Sequence, residues 1–300
     1  MYEQVAQNKR RSALLIMGFV GFIVLIGWIF TWLFNGGVVG LLLAVVIAAG
    51  MAFAGYWNSD KVALAMSRAQ PADPDTYARL HNLVESLCIA SGLPKPRLYI
   101  VDDPAPNAFA TGRNPQHAAL AVTTGLLQKM NRVELEGVLA HELSHIKNYD
   151  TLVMTLAVTM VGITALLADF GVRMFLWGGR GRRDEGGGAN VITLLIGIAF
   201  MILAPLAARA MQAAVSRRRE SLADVSAVEM TRYPPGLISA LEKLRADQTV
   251  VGSGSRATAH LWIEEPVERY ANGGQRASRW GQMFDTHPPL DERIALLREL

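Results

Sequence analysis

Cysteine is almost missing from this sequence: Cys88 stands alone, so no disulfide can close within the chain. With no base assignable beside it, the thiol reads as a core side chain in a reducing compartment. Charge is scarce as well, 18% of residues against 51% hydrophobic, a balance too apolar for an ordinary soluble domain. The aromatic residues, 8% of the chain, do not interleave with basic ones, so the pI of about 9.1 marks no nucleic-acid surface. There is no internal repeat, which excludes a solenoid.

The apolar residues are concentrated in runs. Ser12 to Phe34 and Gly36 to Trp57 are free of charge, and each exceeds the roughly 20 residues that cross a bilayer as a helix. Thr151 to Ala168 and Val191 to Ala208 are two further uncharged runs, so the sequence predicts four transmembrane helices in two hairpins. Asp169 and Arg173 lie four apart and read as a pair on one helix face near the outer end of the third span. Pro205 reads as a kink in the fourth. The first run is too long for a cleaved signal peptide and is followed at once by a second, which predicts that it stays in the mature protein. Lys9, Arg10 and Arg11 precede the first span, Lys61 and Arg68 follow the second, and Arg217, Arg218 and Arg219 follow the fourth. That distribution puts both termini in the cytosol and the arginines among lipid headgroups. The loop between the third and fourth spans sets Arg180, Arg182 and Arg183 against Asp184 and Glu185, which weakens this orientation without reversing it.

Just before the third run stands His141-Glu142-Leu143-Ser144-His145. Four residues are just over one helical turn, so His141 and His145 offer two imidazoles from one face to a single ion. Glu142, one residue around, can reach a water beside that ion without ligating it, the place of a general base. Asn131 and Glu134 supply an N-cap with its acidic partner, Val133, Val138, Leu139 and Ile146 an apolar surface, and Gly137 a gap one turn before His141. Chance produces such a motif in roughly one of a hundred comparable sequences. Only five residues separate His145 from Thr151, which sets the ion within roughly 10 Å of the apolar boundary.

A catalytic zinc needs a third protein ligand. Past the fourth run, residues 216–229 are helical in pattern, and an antiparallel membrane hairpin returns them to the His141 helix; Glu220 is the ligand they offer. Glu136 and Asp150 are the nearest substitutes. Asp224, four residues on, shares the Glu220 face and suits the second ring N–H of a ligand histidine.

Elsewhere the pattern predicts a helix from Pro74 to Ser91, with Leu80, Leu83, Val84 and Leu87 inward and Gly92 as its stop. A strand follows at Arg97 to Val101, then a hairpin of 107–112 and 117–123 whose edge can hold an extended peptide. Helices are expected near Pro235 to Leu244 and from about Pro289. The polar stretch from Asp247 to Phe284 reads as a lid, a substrate-binding segment or a mobile linker.

With these motifs in place, the chain resembles the HtpX-type bacterial membrane proteases, related to the CAAX prenyl proteases. The likeness spans nearly the whole length. It takes in the two N-terminal spans, Asn-Ala-Phe-Ala-Thr-Gly at 107–112, the histidine helix, two more spans, Glu-Ser-Leu-Ala-Asp at 220–224, and Thr-His-Pro-Pro-Leu-Asp-Glu-Arg at 286–293. It implies an α-helical membrane protein with four transmembrane helices and a cytosolic α+β zincin-like (gluzincin) protease domain with a small sheet. The parts would be an N-terminal hairpin (1–57), a first protease part (58–150), a second hairpin (151–215) and a second protease part (216–300). One Zn2+ per chain would sit on His141, His145 and Glu220, with Glu142 as catalytic base. His287 and Arg293 would lie near the scissile carbonyl, and Asn107, Ala108 and Phe109 along the substrate. The setting would be the bacterial cytoplasmic (inner) membrane, crossed several times, and the work quality control of damaged or misfolded membrane proteins. Prenylated peptides are not expected, because the CAAX enzymes enclose their site with more spans than four. Two competing classes remain: a zinc-binding membrane scaffold or chaperone without turnover, and a small transporter, which the few and peripheral charges in the spans disfavour.

Overall fold

The computed structural model describes residues 2–33, 37–157, 159, 217–247, 249, 261–263 and 288–300. The fourth predicted span, most of the third, Asp169 and Arg173, the 180–185 loop, Pro205, Arg217 and Arg218 as side chains, most of 247–284 and His287 lie outside the described residues.

Two long helices open the chain, α1 (Tyr2–Leu33) and α2 (Gly37–Met66), packed side by side as an antiparallel pair. Their seam is close: a methyl on Gly40 would lie 2.8 Å from the Thr31 hydroxyl. Outward they expose Leu14, Met17, Leu25, Trp28, Leu42, Leu43, Val46 and Phe53, side chains that water would reject and lipid would accept. Among the described residues, one helix, α2, is long and apolar enough to cross a membrane by length and composition. Both helices overrun the predicted spans. Asn8 and Ser12 of α1, and Ser59, Asp60, Ala63 and Leu64 of α2, are buried, so these ends belong to the sheet-bearing part of the molecule.

That part is built around a four-stranded mixed sheet of order β1-β2-β4-β3. β1 (Gln70–Pro71) runs antiparallel to β2 (Arg97–Val101), β2 parallel to β4 (Ala118–Thr123), and β4 antiparallel to β3 (Ala108–Gly112). The β3–β4 hairpin is the one expected from the Asn-Pro turn signal. It is closed by Gly112 at φ +133, where a Cβ would sit 2.4 Å from the His117 carbonyl oxygen. The parallel β2–β4 pair and the short β1 were not anticipated.

Alternation along the strands divides the interior into two cores. Leu98, Ile100, Ala108, Ala110, Leu120 and Val122 face α3 (Ala78–Ser91) and α5 (Arg132–Lys147). Val101, Phe109, Ala119 and Ala121 face the end of α2, Val153, Met154 and Ala157, and the pair Leu261 and Trp262, while the next residue, Ile263, joins the first core. The third apolar run therefore begins inside protein: Val153, Met154, Leu156 and Ala157 are buried, and the Thr155 hydroxyl meets Thr111 at 3.0 Å and the Gly112 N–H at 3.2 Å. A count of uncharged residues cannot separate core-facing from outward-facing turns, and the first two turns of the expected third span are core-facing.

α3 begins at Ala78, four residues after the expected Pro74, and ends at Gly92, whose φ of +70 only a residue without a side chain adopts freely. After the short α4 (Thr124–Lys129), α5 opens on a complete capping box: Asn131 accepts from the Val133 and Glu134 N–H groups, and Glu134 accepts from the Asn131 N–H. Glu134 also takes bonds from Ser239 and Lys243 of α7 (Pro234–Ala246), each at 2.7 Å, which fixes α7 across α5. At the crossing a Cβ on Gly137 would meet the Leu237 nitrogen at 2.8 Å, so the gap expected there holds a neighbouring helix. Val133, expected on the apolar face, is instead 44% exposed, because the first turn of α5 projects beyond the core. α6 (Arg217–Thr231) and α8 (Leu290–Arg298) complete the layer against α5 and α7.

Candidate metal centre

α5 carries His141 and His145 one turn apart into the interior, and α6 brings Glu220 to them. All three are buried, and they offer donor atoms that lie within 4.8 Å of one another. The two Nε2 atoms are 3.2 Å apart, and the Glu220 oxygens are 3.6 Å from His141 Nε2 and 3.5 Å from His145 Nε2. Ligands at the usual zinc–nitrogen distance, at tetrahedral angles, stand about 3.3 Å from each other. The cluster thus has the edge lengths of a ligand set.

The proton positions agree. His141 Nδ1 is 2.9 Å from Asp224 Oδ1, and His145 Nδ1 is 3.1 Å from Asp150 Oδ2. Each Nδ1–H donates to its carboxylate, which leaves both Nε2 lone pairs aimed into the same space. Two lone pairs facing at 3.2 Å repel unless a proton or a metal ion lies between them. Burial and the nearby Arg293 work against charge on His141, yet Asp224 and Glu220 prevail and raise its pKa to about 9. Burial likewise opposes charge on His145, and Glu220 and Asp150 overcome it. The surroundings ask for positive charge at this point, and the donor set of two imidazoles and a carboxylate suits a divalent metal ion.

Glu142 is buried beside the cluster, and burial pushes its carboxyl up, with Glu220 adding to the rise and His141, His145 and Arg293 opposing it. Asp224 sits where the sequence predicts, at the second ring nitrogen of His141. Its braces are less expected: Arg293, from α8, donates from Nε to Oδ2 at 2.9 Å and from Nη2 to Oδ1 at 2.7 Å. Burial would raise the Asp224 carboxyl, but Arg293 and His141 hold it below the usual range. The structure therefore brings Arg293 to the centre but commits two of its nitrogens to Asp224. Nη1 is left nearest Glu220, at 3.9 Å, and the Ile263 carbonyl, at 3.5 Å.

β3 is the sheet edge nearest this centre, packed against α5. Asn107, Ala108 and Phe109 are all buried here: the Asn107 N–H donates to Thr123 Oγ1, its side-chain oxygen accepts from the Ala108 N–H, and the Ala108 carbonyl accepts from the Ile263 N–H at 3.0 Å. Phe109 meets Trp262 edge to face, ring centres 4.7 Å apart. The chain's own residues 261–263 thus lie on part of the edge expected to hold substrate. An apolar triplet, Leu261-Trp262-Ile263, inside a polar stretch was the signal for it.

Two further residues were missed. Asp150, considered only as a substitute ligand, is the partner of His145; it follows the end of α5, where no helical spacing rule connects it to the ring. Arg219, expected among headgroups, is buried with Nε 3.8 Å from Asp150, because its helix begins inside the protein.

Comparison with known proteins places these residues in a lineage. The pattern of Peptidase family M48 matches residues 74–300. The chain belongs to peptidase family M48. It is 42% identical over 302 residues to a "Protease HtpX homolog" of Caldanaerobacter subterraneus, covering 100% of this chain and 98% of the relative. A "Protease HtpX homolog" of Thermoanaerobacter pseudethanolicus is 44% identical over 302 residues, with the same coverage. The crystal structure of Ste24p from S. mikatae superposes with a TM-score of 0.50 at 18% identity, covering 99% of this chain and 67% of that one, a likeness of fold. An M48 protein of this kind is a metalloprotease, mostly helical with a small mixed sheet, and its family context is the membrane.

Proposed function

We propose that this M48 protein is a membrane-integral zinc endopeptidase that cleaves the cytosolic loops and tails of damaged or misfolded membrane proteins. The observation that carries the reading is the convergence of His141 Nε2, His145 Nε2 and a Glu220 oxygen within 4.8 Å in a buried site. A zinc ion held there would supply Lewis acidity, making water a nucleophile near neutral pH and polarising a peptide carbonyl. The chain's own residues do the rest. Asp224 and Asp150 keep each imidazole in the tautomer that presents Nε2. The Glu142 carboxylate takes a proton from the attacking water and delivers it to the leaving amine nitrogen, a task its raised pKa suits. Arg293 Nη1 and His287 are the candidates to steady charge developing on the carbonyl oxygen.

The exposed apolar residues of α1 and α2 support a bilayer around the N-terminal hairpin, and the two later apolar runs support a second hairpin, four spans in all. Basic residues at the span ends support cytosolic termini and a cytosolic protease domain in the bacterial inner membrane. Because residues 151–157 pack in the interior, lipid stands farther from the centre than the roughly 10 Å counted from the sequence alone. Such a distance favours extended tails and loops over residues still inside the membrane.

The test is cleavage of a destabilised membrane protein in proteoliposomes. Wild type should cut it, lose activity to a chelator and regain it with Zn2+, while Glu142→Gln should not cut. A protein that binds zinc yet cleaves nothing would support the scaffold reading instead.

A further inference from the structure

We infer that Asn8, in the first turns of α1, is a positioning residue of the metal centre that acts through Asp150; the inference rests on the zinc reading above. The two carboxylates behind the histidines are each braced by another side chain. For Asp224 the brace is Arg293. For Asp150 the nearest brace is Asn8, whose buried Nδ2 donates to Asp150 Oδ1 at 2.7 Å, closer than Arg219 Nε at 3.8 Å, while Oδ2 faces His145 Nδ1 at 3.1 Å. The same Nδ2 donates to the Asn148 carbonyl at 2.9 Å, so one amide grips both ends of the turn that follows α5. Within that turn Tyr149 has φ +61, a left-handed conformation that a bulky residue holds only when its surroundings impose it. The next residue of α1 adds a second contact, Lys9 Nζ lying 4.5 Å from the centre of the Tyr149 ring.

The amide is chemically apt. Being neutral, it orients Asp150 toward the His145 N–H without adding a second cation beside Arg219. A helix that by composition serves the membrane hairpin thereby becomes part of the active-site scaffold, across a separation of 142 residues in sequence. Asn8 touches neither ligand nor substrate, and its effect should appear first in how tightly metal is held.

The experiment measures zinc retention by chelator competition on the full-length protein in lipid nanodiscs, with helical circular dichroism as the folding control. Losing a hydrogen bond to a buried carboxylate should make zinc binding about tenfold weaker in Asn8→Ala. In an Asp150→Ala background the same change should have no further effect. Lys9→Ala, which loosens α1 without touching Asp150, should retain zinc as wild type does. If Asn8→Ala fails to fold, Asn8→Asp, of equal size but opposing one carboxylate with another, takes its place and should weaken zinc further. Wild-type retention in a folded Asn8 variant overturns the inference, and so does an Asn8 effect that persists undiminished without Asp150. Zinc-free wild-type protein would overturn the zinc reading itself, and this inference with it.

Discussion

Arg293→Ala is the substitution whose consequence the structure defines most sharply. The guanidinium is buried and spends Nε and Nη2 on the two oxygens of Asp224. Removing it leaves a carboxylate buried beside His141 with half its partners gone, and breaking a buried pair in this way costs about 3–5 kcal/mol. In a domain of this size that lowers the melting temperature by roughly 10 °C. Asp224 also loses its fixed orientation toward His141 Nδ1, so zinc affinity should fall on the order of 10 to 100-fold, as for other partners behind ligand histidines. Lysine recovers charge but not the two-pronged geometry, and should restore only part of either loss. Thermal unfolding and chelator competition on the same samples make the assay. An Arg293→Ala protein with unchanged melting temperature and zinc affinity but a collapsed kcat would refute this reasoning. It would assign the side chain to the substrate carbonyl, as the family resemblance implies.

Four further outcomes follow from the same geometry. Burial raises the Glu142 carboxyl above its ordinary value; a base works deprotonated, so kcat/KM should be full at high pH and fall with acidification at a pH above the usual carboxylate range. A pH–rate profile with its acid limb near 4 would contradict that environment. Gly137→Ala forces a methyl to 2.8 Å from the Leu237 backbone and should cost about 1–3 kcal/mol by separating α5 from α7, read in denaturant unfolding. Cys88 is buried, and burial pushes its thiol up to about 11, so native protein should resist maleimide at pH 7.5 and react on unfolding; prompt native labelling would count against its core position. In a Cys88→Ser background, cysteines placed at Gly187 and Ser253 should label from opposite sides of sealed vesicles, Ser253 from the cytosolic side; labelling of both from one side would remove the four-span topology.

Much of the centre was legible because its chemistry is local. His141, Glu142 and His145 follow from a single helical turn, and the capping box that starts their helix is written in Asn131 and Glu134. Glu220 and Asp224 were legible in spite of distance, because the demand for a third ligand and a helical spacing of four left few carboxylates to choose from. Where partners join across turns or between unrelated segments, no period announces them. Asp150 reaches His145 across the turn in which Tyr149 is left-handed, and Asn8 reaches Asp150 from 142 residues away in sequence. The β3–β4 hairpin was readable from its turn, whereas the parallel pairing of β2 with β4 depends on a tertiary choice that a strand pattern does not encode. Apolar runs revealed α1 and α2 but did not separate core from surface, since the residues that line the core at 153–157 are as uncharged as those exposed on α1 and α2.

The proposed centre divides its labour: His141, His145 and Glu220 hold the metal, and Glu142 handles the proton. Metal stoichiometry and peptide cleavage, measured side by side on Glu142→Gln and Glu220→Ala, test it most directly. Glu142→Gln should hold one zinc per chain with no turnover, and Glu220→Ala should lose both zinc and turnover. Tight stoichiometric zinc in Glu220→Ala, or turnover by zinc-loaded Glu142→Gln, would contradict it.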